Sequence, residues 1–236
     1  MKIKIPEFIL KELDKIHGLE AIMLSGSRTI GKIAKNSDWD FFIILKDKIP
    51  RWRKTWMVRD VWIEVFCNNK NQIRKDFKRN WEYGNGITTR IFATGFIVKD
   101  KKNILHGLIQ KAKLDWKKGP KKLTKAKKEW IGYDINTYIQ DIEDCVCDNN
   151  PNHLFFNHAA NEFINYYYQL ENIWPTRPKD KTDDLRKRTP KLFNIVRKIN
   201  SKSDWKLKAV KIIKLGKLIG NKYKLNLTGE LYIPAK

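Results

Sequence analysis

The chain has 236 residues, with 49 Lys and Arg against 26 Asp and Glu, for a formal net charge of +23. Apolar residues make up 42% of it, nine Trp among them, enough to fill the core of one large domain or two modest ones. No apolar run approaches the roughly 20 residues of a membrane helix, and MKIKIPEFIL offers neither a long apolar segment nor a small-residue cleavage site, so a membrane protein is excluded and the cytoplasm is the expected location. Cys67, Cys145 and Cys147 are odd in number and follow no C-x-x-C spacing, which argues against a zinc site or a disulfide framework and for reduced packing thiols. A charge of this size attracts polyanions over a Debye length, so nucleotides or nucleic acid are expected partners. The same lysines would also serve simply as a solvated surface.

In chain order, EFILKELDKIHG puts Phe8, Ile9, Leu10, Leu13 and Ile16 near one helical face and ends at Gly18, as a first helix does. EAIMLSGS reads as a strand running into a turn, and WDFFIILK as a second strand buried on both faces. VRDVWIEVFCN is expected as a third strand and TRIFATGFIVKD as a fourth, with a helix between them carrying Ile73, Phe77 and Trp81 at four-residue steps. KNILHGLIQKAKLDW is helical, and KKGPKKLTKAKK, rich in lysine and broken by Gly119 and Pro120, is the natural hinge. Beyond it, EWIGYDINTYIQDIEDCVC, HLFFNHAANEFINYYYQLENIW, DDLRKRTPKLFNIVRKIN and DWKLKAVKIIKLGKLIGNKY carry apolar residues at three- and four-residue steps, and a small helical bundle is expected. The fold class is therefore α+β: a small mixed sheet flanked by helices over residues 1–117, then a helical bundle over 118–236.

The chemistry concentrates in SGSRTIGKIAKNSDWDFFIIL, residues 25–45. Gly26, Gly31 and Lys32 imitate a P-loop, but Ile33 stands where that loop needs a magnesium-binding hydroxyl. Only a few residues separate Lys32 from the next strand, too few for the crossover helix that a parallel strand pair requires. The aspartates read better. Side chains alternate along a strand, so Asp38 and Asp40 project on one side while Trp39 points to the other. Two such carboxylates repel each other unless a divalent cation lies between, and Mg²⁺ takes one or two protein carboxylates together with substrate phosphate oxygens. The turn at Gly26 and Ser27 offers backbone N–H groups and a hydroxyl to those phosphates.

LSGS, a ten-residue gap from Arg28 to Ser37, and then DWDFFII resemble the signature of the polymerase-beta-type nucleotidyltransferases, particularly the small bacterial and archaeal members similar to the antibiotic nucleotidyltransferases. The resemblance covers residues 20–115 and implies a third carboxylate on the neighbouring strand. Glu64 within DVWIEVF fits it, with Asp60 as the weaker choice. It further implies a metal-assisted in-line displacement with two Mg²⁺ ions roughly 3.5–4 Å apart. Asp38, Asp40 and Glu64 would be the catalytic residues and metal ligands, and Gly26, Ser27 and Arg28 would bind the nucleotide. Lys179 and Lys181 are expected to reach its phosphates from the helical region, where Glu162 or Glu143 is a candidate base. His158 is expected as a satisfied core residue.

The implied activity is transfer of a nucleoside monophosphate, AMP from ATP, to an acceptor hydroxyl of a small molecule with release of pyrophosphate. Two alternatives stand beside it: transfer to RNA or a protein side chain, and a non-catalytic module that binds nucleotides or nucleic acid. A polycationic acceptor would be steered away by the net charge unless the cleft is locally acidic.

Overall fold

A computed structural model describes residues 3–201 and 204–228. The chain divides into two compact units, Met1–Pro120 and Lys121–Lys236.

The first unit is a five-stranded sheet with helices on both faces. Its elements are α1 (Glu7–Asp14), β1 (Leu19–Ser25), β2 (Trp39–Leu45), β3 (Trp52–Val58), β4 (Val61–Asn69), α2 (Lys70–Tyr83), α3 (Ile87–Ala93), β5 (Phe96–Asp100) and α4 (Ile104–Lys118). The strand order is β3-β4-β2-β1-β5. Among the described residues every neighbouring pair is antiparallel except β2 and β4, which run parallel with Asp40 opposite Glu64. β1 and β2 are thus joined by a loop and not by a crossover helix, as their short spacing demands.

Strand alternation sorts the side chains. Ile22, Leu24, Phe41, Ile43, Ile63, Val65 and Cys67 form one core with Ile9 and Leu13 of α1. Met23, Phe42 and Ile44 form the other with Ile73 and Phe77 of α2, Phe92 of α3 and Leu105 of α4. β2 is buried on both faces, as its unbroken apolar run requires. Asp40 and Glu64 fall on the α2–α4 side of the sheet.

Two stretches differ from the sequence reading. The expected strand beginning at Val58 is the second half of a hairpin: Arg59 and Asp60 take positive φ of 47° and 60° and form its two-residue turn, and β3 precedes them. Asp60 therefore lies in a turn. The expected fourth strand is half helix, because Ile87–Ala93 forms α3 and only Phe96–Asp100 pairs with β1. Gly95 makes the join possible, since a Cβ there would lie 2.2 Å from Met23 Sδ.

The second unit contains α5 (Lys125–Cys147), α6 (His153–Leu170), α7 (Lys181–Arg188), α8 (Pro190–Asn200) and α9 (Trp205–Lys222). The expected helix over residues 183–200 is two helices, with Pro190 as the first residue of α8. Ile131, Ile135 and Ile139 of α5, Phe156 and Phe163 of α6, and Ile212, Leu215 and Ile219 of α9 form its centre.

Candidate active site

β1 ends at Ser25, whose hydroxyl donates to the Asp40 carbonyl across the strand pair at 3.2 Å. Gly26 then turns the chain with φ of 76°, where a Cβ would come within 1.9 Å of Asp40 Oδ2. Only glycine lets the backbone pass this close to a carboxylate while adopting that φ. Gly26–Arg28 form a single 3₁₀ turn, and the Lys32 N–H donates back to the Ser27 carbonyl at 3.0 Å. That turn is three residues long, so Gly31 and Lys32 lie outside it.

Arg28 turns toward the loop that leads into β2. Its Nε donates to the Asp38 carbonyl at 2.9 Å and its Nη2 to the Ser37 carbonyl at 2.8 Å. The guanidinium also lies 4.1 Å from the centre of the Trp39 ring. These three contacts fix the backbone that carries Asp38. Arg28, expected at the nucleotide, also holds the loop that carries Asp38.

Asp38, Asp40 and Glu64 converge, with one carboxylate oxygen from each lying within 4.8 Å of the others. The parallel register explains the meeting, because Asp40 and Glu64 are direct neighbours on adjacent strands. Glu64 is only 8% exposed, an expensive position for a lone charge. Arg53 of β3 compensates it: its Nε donates to Glu64 Oε1 at 2.5 Å, its Nη2 pairs with the same oxygen, and Thr55 Oγ1 donates at 3.3 Å. Burial first, and then the neighbouring Asp38 and Glu64 charges, push the Asp40 carboxyl up to about 6, with the Arg28 cation opposing.

Crowded carboxylates that resist ionisation together suit a divalent cation, which removes the repulsion. The donor set is hard oxygen throughout, so Asp38, Asp40 and Glu64 fit Mg²⁺. The buried Ser27 lies in the adjoining turn.

The structure brings Gly26, Ser27, Arg28, Asp38, Asp40 and Glu64 together in the first unit. Lys179 and Lys181 belong to the second. Lys179 is exposed on the 3₁₀ turn before α7. Lys181 donates to Asn165 Oδ1 at 2.7 Å and lines a cavity of about 430 Å³ with Asn157, Asn161 and Thr182. Glu162 accepts from Asn165 Nδ2 at 2.9 Å, and Glu143 pairs with Lys217 at 3.6 Å. His158 is exposed, not in the core, and hydrogen-bonds to the Tyr138 hydroxyl at 2.9 Å.

Sequence reasoning missed Arg53. Its partner lies across a hairpin that it did not recognise, although Arg-Asp between two Trp- and Val-containing runs was the available signal.

Neither the protein-family models nor the curated proteins contain a match to the chain. Among solved structures, the crystal structure of a nucleotidyltransferase-like protein from Exiguobacterium sibiricum is similar, with a TM-score of 0.50 and 11% identity. The match covers 92% of this chain and 76% of that one. The likeness is one of fold: a mixed sheet flanked by helices, followed by a helical region.

Proposed function

We propose that the protein is a Mg²⁺-dependent nucleotidyltransferase that moves a nucleoside monophosphate, AMP from ATP, onto an acceptor hydroxyl. One observation carries this reading: Asp38, Asp40 and Glu64 converge within 4.8 Å beside the Gly26–Ser27 turn. A module that only binds nucleotides has no need of three carboxylates set against one another, since burying them together is costly.

In this reading the Gly26 and Ser27 N–H groups and the Ser27 hydroxyl bind the triphosphate. Asp38 and Asp40 hold Mg²⁺ on the nucleotide side, and Glu64 faces the acceptor. When bound, Mg²⁺ supplies positive charge to the phosphate oxygens and the leaving pyrophosphate. Arg28 keeps the loop before β2 in place, so that Asp38 stays near Asp40. Glu64 accepts the hydrogen of the acceptor hydroxyl and takes its proton as the oxygen attacks the α-phosphorus, while Arg53 steadies the carboxylate.

Pyrophosphate release from ATP with Mg²⁺ and a panel of alcohol acceptors tests the proposal. Asp40→Asn is expected to lower the rate by at least about 1,000-fold, since it weakens the hold on the Mg²⁺ whose positive charge would offset the developing negative charge. Equal rates for wild type and Asp40→Asn would sink it.

A further inference from the structure

α2 and α4 enclose a groove that the metal site does not use. β5 is antiparallel to β1, β1 to β2, and β2 parallel to β4, so β4 and β5 run the same way. α2 and α4 follow those two strands and pack on one face of the sheet, side by side. Between them lies a cavity of about 290 Å³. α2 lines it with Arg74, Phe77, Lys78 and Trp81, at the three- and four-residue steps of one helix face, and α4 with Lys111, Asp115 and Lys118. The last turns of the two helices meet there, with Lys118 Nζ 5.8 Å from the centre of the Trp81 ring.

The floor is aromatic, since Phe77 is buried in the core beneath and Trp81 is half-buried. The rim is cationic. Lys111 is held by both oxygens of Asp115, at 2.5 and 2.6 Å, and that pair balances itself. Arg74, Lys78 and Lys118 remain as the charge of the groove. Among the described residues the Arg74 guanidinium has no ion-pair or hydrogen-bond partner. Lys78 reaches Glu82 only at 3.9 Å, an exposed pair of small worth. Seven residues of helix span about 10 Å, so the groove runs from the indole at one end to the guanidinium about that far along the axis, with Lys78 between.

We propose that this groove is a second nucleotide site, which takes a nucleoside di- or triphosphate and shares no residue with the carboxylate site. The base lies on Trp81, and the phosphates run along α2 to Lys78 and Arg74. Lys118 gives way to the base: its contact is at the outer limit for a cation over an aromatic face, and its flexible stem lets the ammonium turn to a phosphate. Arg74 offers a planar fork of N–H donors, suited to two phosphate oxygens. Charge complementarity selects the polyphosphate, since three cations outmatch a single phosphate and repel a neutral ring compound's polar rivals, the cations of the solvent. Size selects one nucleotide over a strand or a protein segment. A cavity of about 290 Å³ is at the small end of ligand pockets, and its aromatic floor with a few convergent charges is the make-up of such pockets.

Equilibrium dialysis of radiolabelled ADP against the whole protein in EDTA tests this. Without a divalent ion Asp38, Asp40 and Glu64 repel phosphates, so the measurement reads the groove. One ADP per chain is expected, and Asp40→Asn is expected to leave it bound. Arg74→Gln, an exposed change that keeps the far-UV circular dichroism of wild type, is expected to weaken binding about 10-fold or more. Trp81→Ala is expected to weaken it roughly 5- to 100-fold, the usual range for one base stacked on an aromatic side chain, while Trp81→Phe retains most of the affinity. Inorganic pyrophosphate, which lacks the ring, is expected to bind more weakly than ADP and to be indifferent to Trp81→Ala.

Equal affinity of wild type and Arg74→Gln, or no ADP bound by either, overturns the second site. So does pyrophosphate bound as tightly as ADP. Hexauridylate or a glutamate-rich peptide held through Arg74 with ADP ignored assigns the groove to a macromolecule and overturns it as well. The site stands apart from nucleotidyl transfer: ADP bound through Arg74 and Trp81 supports it even if no acceptor is labelled from ATP.

Discussion

Gly26 is the residue on which the site is most finely balanced. Alanine there would place a methyl group 1.9 Å from Asp40 Oδ2 and hold an L-residue at φ of 76°. Gly26→Ala is therefore expected to cost about 1–3 kcal/mol of stability and to reduce turnover by about 100-fold or more, read from urea midpoints and from pyrophosphate release. Asp40 gives the matching pH signature. Its carboxyl is pushed from the ordinary 3.8 to about 6, so between these values the folded chain holds a proton that the unfolded chain releases. Stability contributed at this position is present below about 4 and declines as pH rises to about 6. In chelator-treated protein, Asp40→Asn should melt higher than wild type at pH 7, and the gap should close toward pH 4. Added Mg²⁺ should raise the wild-type melting temperature more at pH 7 than at pH 4.5, because protons compete for the same oxygens.

At the scale of elements, α2 depends on a capping box. The Asn69 side chain accepts from the Asn71 and Gln72 N–H groups, and the Gln72 side chain accepts from the Asn69 N–H. Asn69→Ala is expected to lose about 1–2 kcal/mol in a denaturant titration, because it leaves helix N–H groups without acceptors where the chain leaves β4. The elements legible in the sequence are those whose signal is local. β2 announces itself by five apolar residues after Asp40, and α2 by Ile73 and Phe77 at a helical step. Glu64 stands out because it interrupts an apolar run. β3 gives no such signal, since Trp52–Thr55 are exposed on an edge strand and Arg53 and Lys54 break any alternation. α3 is concealed by Ile, Thr and Phe, which favour strands in isolation and are overridden by packing of Phe92 into the helical side of the core. Arg28 was legible as a conspicuous residue, but the structural work it does on the loop before β2 was not. That work is set by two carbonyls nine and ten residues further on.

The molecule as a whole consists of two units with separate cores, and the carboxylates all belong to the first. Cations on the outermost strand, Arg53 and Lys54, also keep an exposed sheet edge from pairing with another copy, a use of charge that needs no ligand. The parallel register between β2 and β4 has a kinetic meaning. Asp40 and Glu64 are 24 residues apart in the chain but direct neighbours in the sheet, and the β3–β4 hairpin must turn back before they meet. Loop-closure entropy leads us to expect such a contact late, after the local hairpin and helices have formed. A divalent ion held by the three carboxylates would then act as a clasp on the final seam. Mg²⁺ should slow unfolding in stopped-flow experiments and leave the refolding rate nearly unchanged. The site would thereby report on the closing of its own sheet: a chain that loses this seam would lose its hold on any bound ion, and the order of the two losses is written in the register of two strands.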